Sequence, residues 1–245
     1  MKAIIMAGGY AKRMWPLTRN IPKPLLPVHG RPVIEHIIHN IRESGVQEII
    51  ISTNERFRGQ FQSWITQSNH ENLQIYAERS SSEGDKLGAI RALTELLRAL
   101  PKDDYLVLAG DNIITSNLGP MISFYNKTRK PIVGLFEPFN RKQLLAGSVV
   151  IVDRTRKIRK FIEKPKHATK GKLGALAYIL PYEALSKLDQ YLAEGNEPDE
   201  PGRFIAWLYK KEPVYGYPFD GHVLDIGDPK LFAEANRTKN KAPKR

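Results

Sequence analysis

Two carboxylates and a loop of cations are the residues of this chain best suited to chemistry. Asp111 follows the apolar run Leu106 to Ala109 through Gly110, and Asp225 lies in LDIGDP between Leu224 and Ile226. A carboxylate at the carboxyl end of a buried strand sits where open α/β sheets bind ligands. An aspartate flanked by apolar neighbours is poorly explained by solubility. Two such carboxylates, completed by water, match the way Mg²⁺ is held beside phosphates. Taken singly, Asp111 would also serve as a helix cap and Asp225 as a hydrogen-bonded structural residue. The cations Lys12, Arg13, Arg19 and Lys23 follow the turn Gly8-Gly9 on a loop stiffened by Pro16, Pro22, Pro24 and Pro27. Backbone N–H groups at a glycine turn can reach oxygens closely, and fixed cations neutralise charge further out. That combination suits a polyphosphate.

The elements that must position these groups read as alternating strands and helices. The apolar run Ala3 to Met6 predicts a buried strand. Arg31 to Gly45 predicts a helix with an Ile34, Ile37, Ile38, Ile41 stripe, followed by strand Val46 to Ser52. Residues 56 to 68 suggest a helix, Leu73 to Ala77 a strand, and Lys86 to Leu100 a helix. Strand Asp104 to Ala109, a helix near Gly119 to Lys127 and strand Ile132 to Phe136 continue the rhythm. Beyond Glu137 it changes to β segments at Gly147 to Val152, Ile158 to Glu163 and Leu173 to Leu180. Helical pieces at 182 to 192 and 203 to 211, strands Val214 to Pro218 and His222 to Ile226, and a helix from Pro229 to about Arg237 complete the pattern. The expected fold is α/β: a Rossmann-like, doubly wound, mixed but mainly parallel sheet with an inserted β-rich part. The loop EGNEPDEPG at Glu194 to Gly202 reads as a mobile surface segment, and residues 238–245 as a basic tail.

The opening stretch, AIIMAGGYAKRMWPLTRNIPKPLLPV, resembles the signature of the sugar-nucleotide pyrophosphorylases, the sugar-1-phosphate nucleotidyltransferases. Their pattern runs LAGG-x-GTR-L-x-PLT…PKPL-x-P-V. Ala11-Lys12 stands where the family has Gly-Thr. The motifs GDN at Asp111, EKP at Glu163-Lys164-Pro165 and DIG at Asp225 follow in the family's order. The resemblance implies a single catalytic domain over 1–237, with a nucleotide-binding part at about 1–136 and a sugar-phosphate part at about 137–223. It implies condensation of a nucleoside triphosphate with a sugar 1-phosphate, UTP or dTTP and glucose 1-phosphate being the first choices. Implied roles are Mg²⁺ binding for Asp111 and Asp225, and phosphate stabilisation for Arg13 and Lys23. The turn Gly8-Gly9 would approach the nucleotide and Gly88 its base. Gly147 and Glu163 would meet the sugar, and Lys164 its phosphate. An ionised Glu78 only accepts hydrogen bonds, so it could take an imide N–H or a base amine. It would serve equally as a solvated loop residue. Glu163-Lys164 without the resemblance is a surface ion pair before a proline turn.

Composition narrows the alternatives. The chain has 245 residues, no cysteine and a net charge of +12, of which the acid-free stretch Arg237 to Arg245 contributes five. Absence of cysteine excludes disulfides and thiolate chemistry and suits a reducing compartment. No apolar run reaches the ~18 residues of a membrane span, and since the opening residues lack a signal-peptide h-region and cleavage site, no secretory signal is expected. A cytoplasmic protein is expected. Its substrates are small molecules, with neither nucleic acid nor membrane as partner, and homo-oligomerisation is left open. The excess charge invites a nucleic-acid binder, yet no recognition motif accompanies it. The six histidines do not converge in sequence, so no zinc site is expected. A non-catalytic sugar-phosphate sensor and a phosphocholine cytidylyltransferase also remain open.

Overall fold

A computed structural model describes residues 1–167 and 169–237. The basic tail 238–245 lies outside the described residues. In chain order the strands are β1 (Lys2–Met6), β2 (Pro27–Val28), β3 (Arg31–Pro32), β4 (Ile49–Asn54), β5 (Leu73–Glu78), β6 (Tyr105–Ala109), β7 (Asn112–Ile114), β8 (Ile132–Phe136), β9 (Ser148–Val152), β10 (Ile158–Glu163), β11 (Lys172–Leu180), β12 (Tyr215–Pro218) and β13 (Val223–Asp225). The helices are α1 (Val33–Glu43), α2 (Glu55–Ser68), α3 (Ala89–Ala99), α4 (Gly119–Thr128), α5 (Arg141–Ala146), α6 (Tyr182–Leu185), α7 (Leu188–Ala193), α8 (Pro201–Leu208) and α9 (Pro229–Arg237).

The main sheet is mixed, as expected. Strands β6, β1, β4 and β5 form a parallel block in that order. Strand β11 runs against β6 and joins β8 and the β9–β10 hairpin to the block. Side-chain alternation along a strand assigns the two faces. Ala3 and Ile5 of β1 pack with Ile34, Ile38, Phe57 and Phe61 of α1 and α2. Ile4, between them, packs with Ile90, Leu93, Phe204 and Ile205 of α3 and α8. Each fully buried aliphatic or aromatic side chain stabilises by roughly 1.5–3 kcal/mol. Both faces are therefore covered, which explains why β4 and β6 are buried throughout.

The winding locates a ligand edge. The chain builds β1, β4 and β5 outward in one direction, then returns to place β6 on the other side of β1. The switch point lies between β1 and β6, where open sheets bind ligands. Met6 pairs with Ala109, so Gly8-Gly9 and Gly110-Asp111 leave the same edge side by side.

Several expectations are corrected. Helix α1 starts at Val33, because Arg31–Pro32 pairs with Pro27–Val28 as a small ladder. The helical piece expected at 203–211 runs instead from Pro201 to Leu208. The expected 182–192 piece is split into α6 and α7. Helix α5 and strand β7 were not foreseen. The first is only six residues long and is capped by Asn140. The second is only three residues long and exists by pairing with β13. The segment Glu194–Gly202 is docked: Pro198 C=O accepts from Ile90 N–H at 2.8 Å, and Asp199 pairs with Lys86 at 2.7 Å. It caps α3, whose N-cap Gly88 has φ +85°.

Gly110 tests this packing. A Cβ there would lie 2.9 Å from the Met6 carbonyl oxygen and 3.1 Å from Pro24. Backbone on one side and a proline ring on the other cannot yield cheaply. Gly110→Ala is expected to cost about 2 kcal/mol or more, measured by urea denaturation. An unchanged midpoint would contradict the close approach.

Candidate active site

The site begins at the end of β1. Ala7 N–H donates to Ser52 C=O at 2.6 Å, and Asn54 donates its side-chain amide to Gly8 C=O at 2.9 Å. The chain then turns through Ala11, which takes the left-handed conformation at φ 47°, ψ 45°. Ala11 therefore adopts a conformation in which glycine would be unstrained. Its carbonyl accepts from Thr18 Oγ1 at 2.8 Å and from Met14 N–H at 2.8 Å. The following 3₁₀ turn Lys12–Met14 carries Arg13, and a second one, Lys23–Leu25, carries Lys23.

Lys23 is the centre of the arrangement. Its side chain is 7% exposed, and Nζ donates to Asp111 Oδ2 at 2.6 Å while lying 3.8 Å from Asp225 Oδ1. Asp225 arrives through the small ladder that the sequence did not reveal. It pairs with Asn112, and Ile226 N–H donates to the Asp111 carbonyl at 3.3 Å. Burial pushes the Asp225 acid up, and the facing Asp111 pushes it further. Lys23, Arg13 and the Gly227 N–H oppose that rise. The carboxylate still meets solvent, with 54% of its side chain accessible, rather than being sealed in protein. Arg13, Lys23, Asp111 and Asp225 thus converge, although no strand or helix carries more than one of them.

A cleft of about 330 Å³ opens beside them, lined by Gly8, Gly9, Arg13, Lys23, Glu78, Gly88, Asp111 and Gly227, the last of these lying two residues past Asp225. Glu78 ends β5, level with Asn54, and is 5% exposed. Burial raises its acid, and the hydrogen bond from Ser80 Oγ at 3.0 Å lowers it in part. Tyr10 Oη lies 3.1 Å from the same Ser80 oxygen. Glu78 is therefore not a solvated loop residue. Ser80 and Tyr10 went unnoticed in the sequence because serine and tyrosine in a loop carry no periodic signal.

Gly147, Glu163 and Lys164 form a second group, beside the cleft rather than in its lining. Strand β9 brings Ser148 against Glu163, and the Ser148 hydroxyl donates to the Glu163 carboxylate. Burial raises the Glu163 acid, moderated by that bond. Lys164 N–H donates to Gly147 C=O at 3.0 Å. Gly202 of α8 lies against Glu163, and its neighbour Pro201 lines the cleft, so α8 joins the two groups. Lys164 itself is paired with Glu200, which also holds Arg203 at 2.6 Å.

Among the described residues no set of three or more His, Cys, Asp or Glu could hold a metal. The pair Asp111 and Asp225 does fit Mg²⁺ bound together with phosphate. It supplies two hard oxygen donors whose mutual repulsion a cation would relieve, and Mg²⁺ takes its other ligands from water and phosphate. Among the described residues no helix is long and apolar enough to cross a membrane.

The family model described as nucleotidyl transferase matches residues 2–242. A mannose-1-phosphate guanyltransferase of Yarrowia lipolytica is 27% identical over 240 residues, covering 95% of this chain and 62% of that protein. A UTP–glucose-1-phosphate uridylyltransferase of Staphylococcus epidermidis is 26% identical over 260 residues, covering 93% of this chain and 88% of that protein. The crystal structure of a UDP-glucose pyrophosphorylase complexed with UDP-glucose superposes with a TM-score of 0.80 at 21% identity, covering 96% of this chain and 97% of that one. At that identity the likeness establishes the fold. The chain spans about three fifths of the first relative's length and most of the second's.

Lys23→Met removes the cation between two facing carboxylates. A group whose acid is raised on folding loses stability as pH climbs through its folded-state value. The variant is therefore expected to lose more at pH 7 than at pH 4, by about 1–2 kcal/mol given the partial exposure of both aspartates. Guanidinium denaturation at the two pH values measures the difference. An equal loss at both would contradict the ion-pair geometry.

Proposed function

The chain belongs to the nucleotidyl transferase family, and from that premise we propose that it joins a nucleoside triphosphate to a sugar 1-phosphate, releasing pyrophosphate. A phosphate oxygen of the sugar phosphate attacks the α-phosphorus. The bond from that phosphorus to the oxygen bridging to the β-phosphate breaks, and its electron pair leaves with pyrophosphate. Such a displacement needs alignment and charge neutralisation rather than a covalent enzyme group. The observation that carries this reading is the convergence of Arg13, Lys23 and Asp111 on one cleft beside the Gly8-Gly9 turn, with Asp225 held next to them 3.8 Å from Lys23.

In this reading Lys23 stabilises charge on the α-phosphoryl group, and Arg13 stabilises the departing pyrophosphate. Asp111 and Asp225 would hold Mg²⁺, which when bound withdraws charge from phosphate oxygens. Backbone N–H groups at Gly8 and Gly9 approach the phosphates, and Gly88 lies against the base. Gly147 and Glu163 hold the sugar, and Lys164 its phosphate. The division into a nucleotide part at about 1–136 and a sugar-phosphate part at about 137–223 follows the same line. The partners are small molecules, not nucleic acid, and the working compartment is the cytoplasm.

Glucose 1-phosphate with UTP or dTTP is the first choice of substrates. Glu78 can accept the single imide N–H of uracil or thymine. A second reading is GTP. Guanine offers an adjacent ring N–H and amine, two donors that match the two oxygens of one carboxylate. A bidentate match of this kind discriminates by about 1–3 kcal/mol.

Pyrophosphate release from a grid of UTP, dTTP, CTP, GTP and ATP against glucose and mannose 1-phosphates tests both readings. Asp225→Ala and Lys23→Ala are each expected to cut turnover at least ~100-fold. Near-normal turnover in either would reject its assigned role. Glu78→Gln is expected to favour UTP or dTTP if a pyrimidine is native, because an amide can also donate to a base carbonyl. If guanine is native, it is expected to weaken GTP use by at least ~10-fold. No release from any pair would reject the proposed reaction.

A further inference from the structure

Glu200 stands immediately before α8 as its N-cap, yet its side chain makes no capping hydrogen bond to that helix. Both carboxylate oxygens are turned to cations instead. Oε1 accepts from Lys164 Nζ, and Oε2 accepts from Arg203 Nε at 2.6 Å. The two cations come from different elements. Lys164 follows the end of β10 in a left-handed conformation at φ 44°, and Arg203 lies in the first turn of α8. About half of each cationic side chain meets solvent, whereas Glu200 is three-quarters covered. An anion seated between two cations that remain open to water has the form of an occupied anion site.

We propose that Glu200 holds the phosphate position of the free protein, and that a phosphomonoester enters by displacing the Glu200 carboxylate from Lys164 and Arg203. This rests on the proposed function, in which Lys164 meets the sugar phosphate. It adds Arg203 as a second phosphate-binding cation and Glu200 as the internal competitor. Charge balance makes displacement a condition of binding. Lys164 and Arg203 face Glu163 as well as Glu200, and Glu197 also acts on Arg203. A phosphate dianion added to that group with Glu200 in place would meet more negative than positive charge. With Glu200 swung out, a lysine and an arginine face the dianion directly. Charge-assisted bonds from a guanidinium fork and an ammonium to phosphate oxygens are stronger than ordinary ones. Burial alone would raise the Glu200 acid, yet its bonds to Lys164 and Arg203 bring it below the usual range, so it remains an anion at neutral pH. Glu163 does not compete in this way, because its Oε2 is held by Ser148.

The test is isothermal titration of the full chain with inorganic phosphate and, separately, with glucose 1-phosphate. Glu200→Gln is expected to bind both about tenfold more tightly than wild type. The gain should vanish when Lys164→Met or Arg203→Ala is added. Glu200→Asp, which keeps the charge but shortens the reach, guards against a fold defect and should give a smaller gain. In turnover, the Glu200→Gln effect should fall on the KM for the sugar phosphate and not on that for the nucleotide. Phosphate affinity unchanged in Glu200→Gln, or a gain that survives loss of Lys164, overturns the inference. Binding is read without catalysis. A chain that bound phosphate as described but released no pyrophosphate would contradict the proposed reaction and leave this inference standing.

Discussion

One ammonium group between two carboxylates organises the molecule. Lys23 reaches Asp111 at 2.6 Å and Asp225 at 3.8 Å from a position almost closed to solvent. Such a group requires the first loop to be folded firmly onto the sheet edge, and the loop's construction supplies this. Two 3₁₀ turns shape it, and Pro24 packs where Gly110 lacks a side chain. It also requires the end of the chain to return to its middle. The β7–β13 ladder does so by pairing Asp225 with Asn112. An isolated pair of facing aspartates would repel, and the cations of the first loop offset that repulsion.

The same edge explains how a nucleotide and a second substrate could meet. The parallel block ends in Gly8-Gly9, Asn54, Glu78 and Asp111, all on one side of the sheet. The antiparallel extension through β11 carries Glu163 and Lys164. Helix α8 and its preceding loop connect the two, since Pro198 caps α3 and Pro201 lines the cleft. Movement of Glu200, at the start of α8, would therefore be felt on both sides. One short helix and the loop before it therefore touch both halves of the proposed site.

Much of this was legible in the residues. The strand before Gly8-Gly9, the cations of the first loop and Asp111 at a strand end announced themselves by type and spacing. The alternation of apolar runs with amphipathic helices gave the parallel block. What escaped shares one physical property: it depends on partners distant in sequence. Strand β7 is too short to show a period and forms because β13 lies beside it. The segment Glu194–Gly202 has the composition of a free loop, but its Pro198 carbonyl satisfies an N-terminal N–H of α3. Lys164 was readable as a cation, whereas its neutralisation by Glu200 was not. Ala11, standing where the resembled pattern has glycine, takes a left-handed backbone that a side chain disfavours. The turn therefore carries local strain at a position that sequence alone marks only by the missing glycine.

In the proposed reaction Asp111 and Asp225 hold a divalent cation together with a nucleoside triphosphate. Mn²⁺ can stand in for Mg²⁺ and be followed by electron paramagnetic resonance in the presence of a nonhydrolysable triphosphate. The expected result is one tightly bound Mn²⁺ per chain that requires the triphosphate and is lost in Asp225→Ala. Mn²⁺ binding that ignores either the triphosphate or the loss of Asp225 would contradict it.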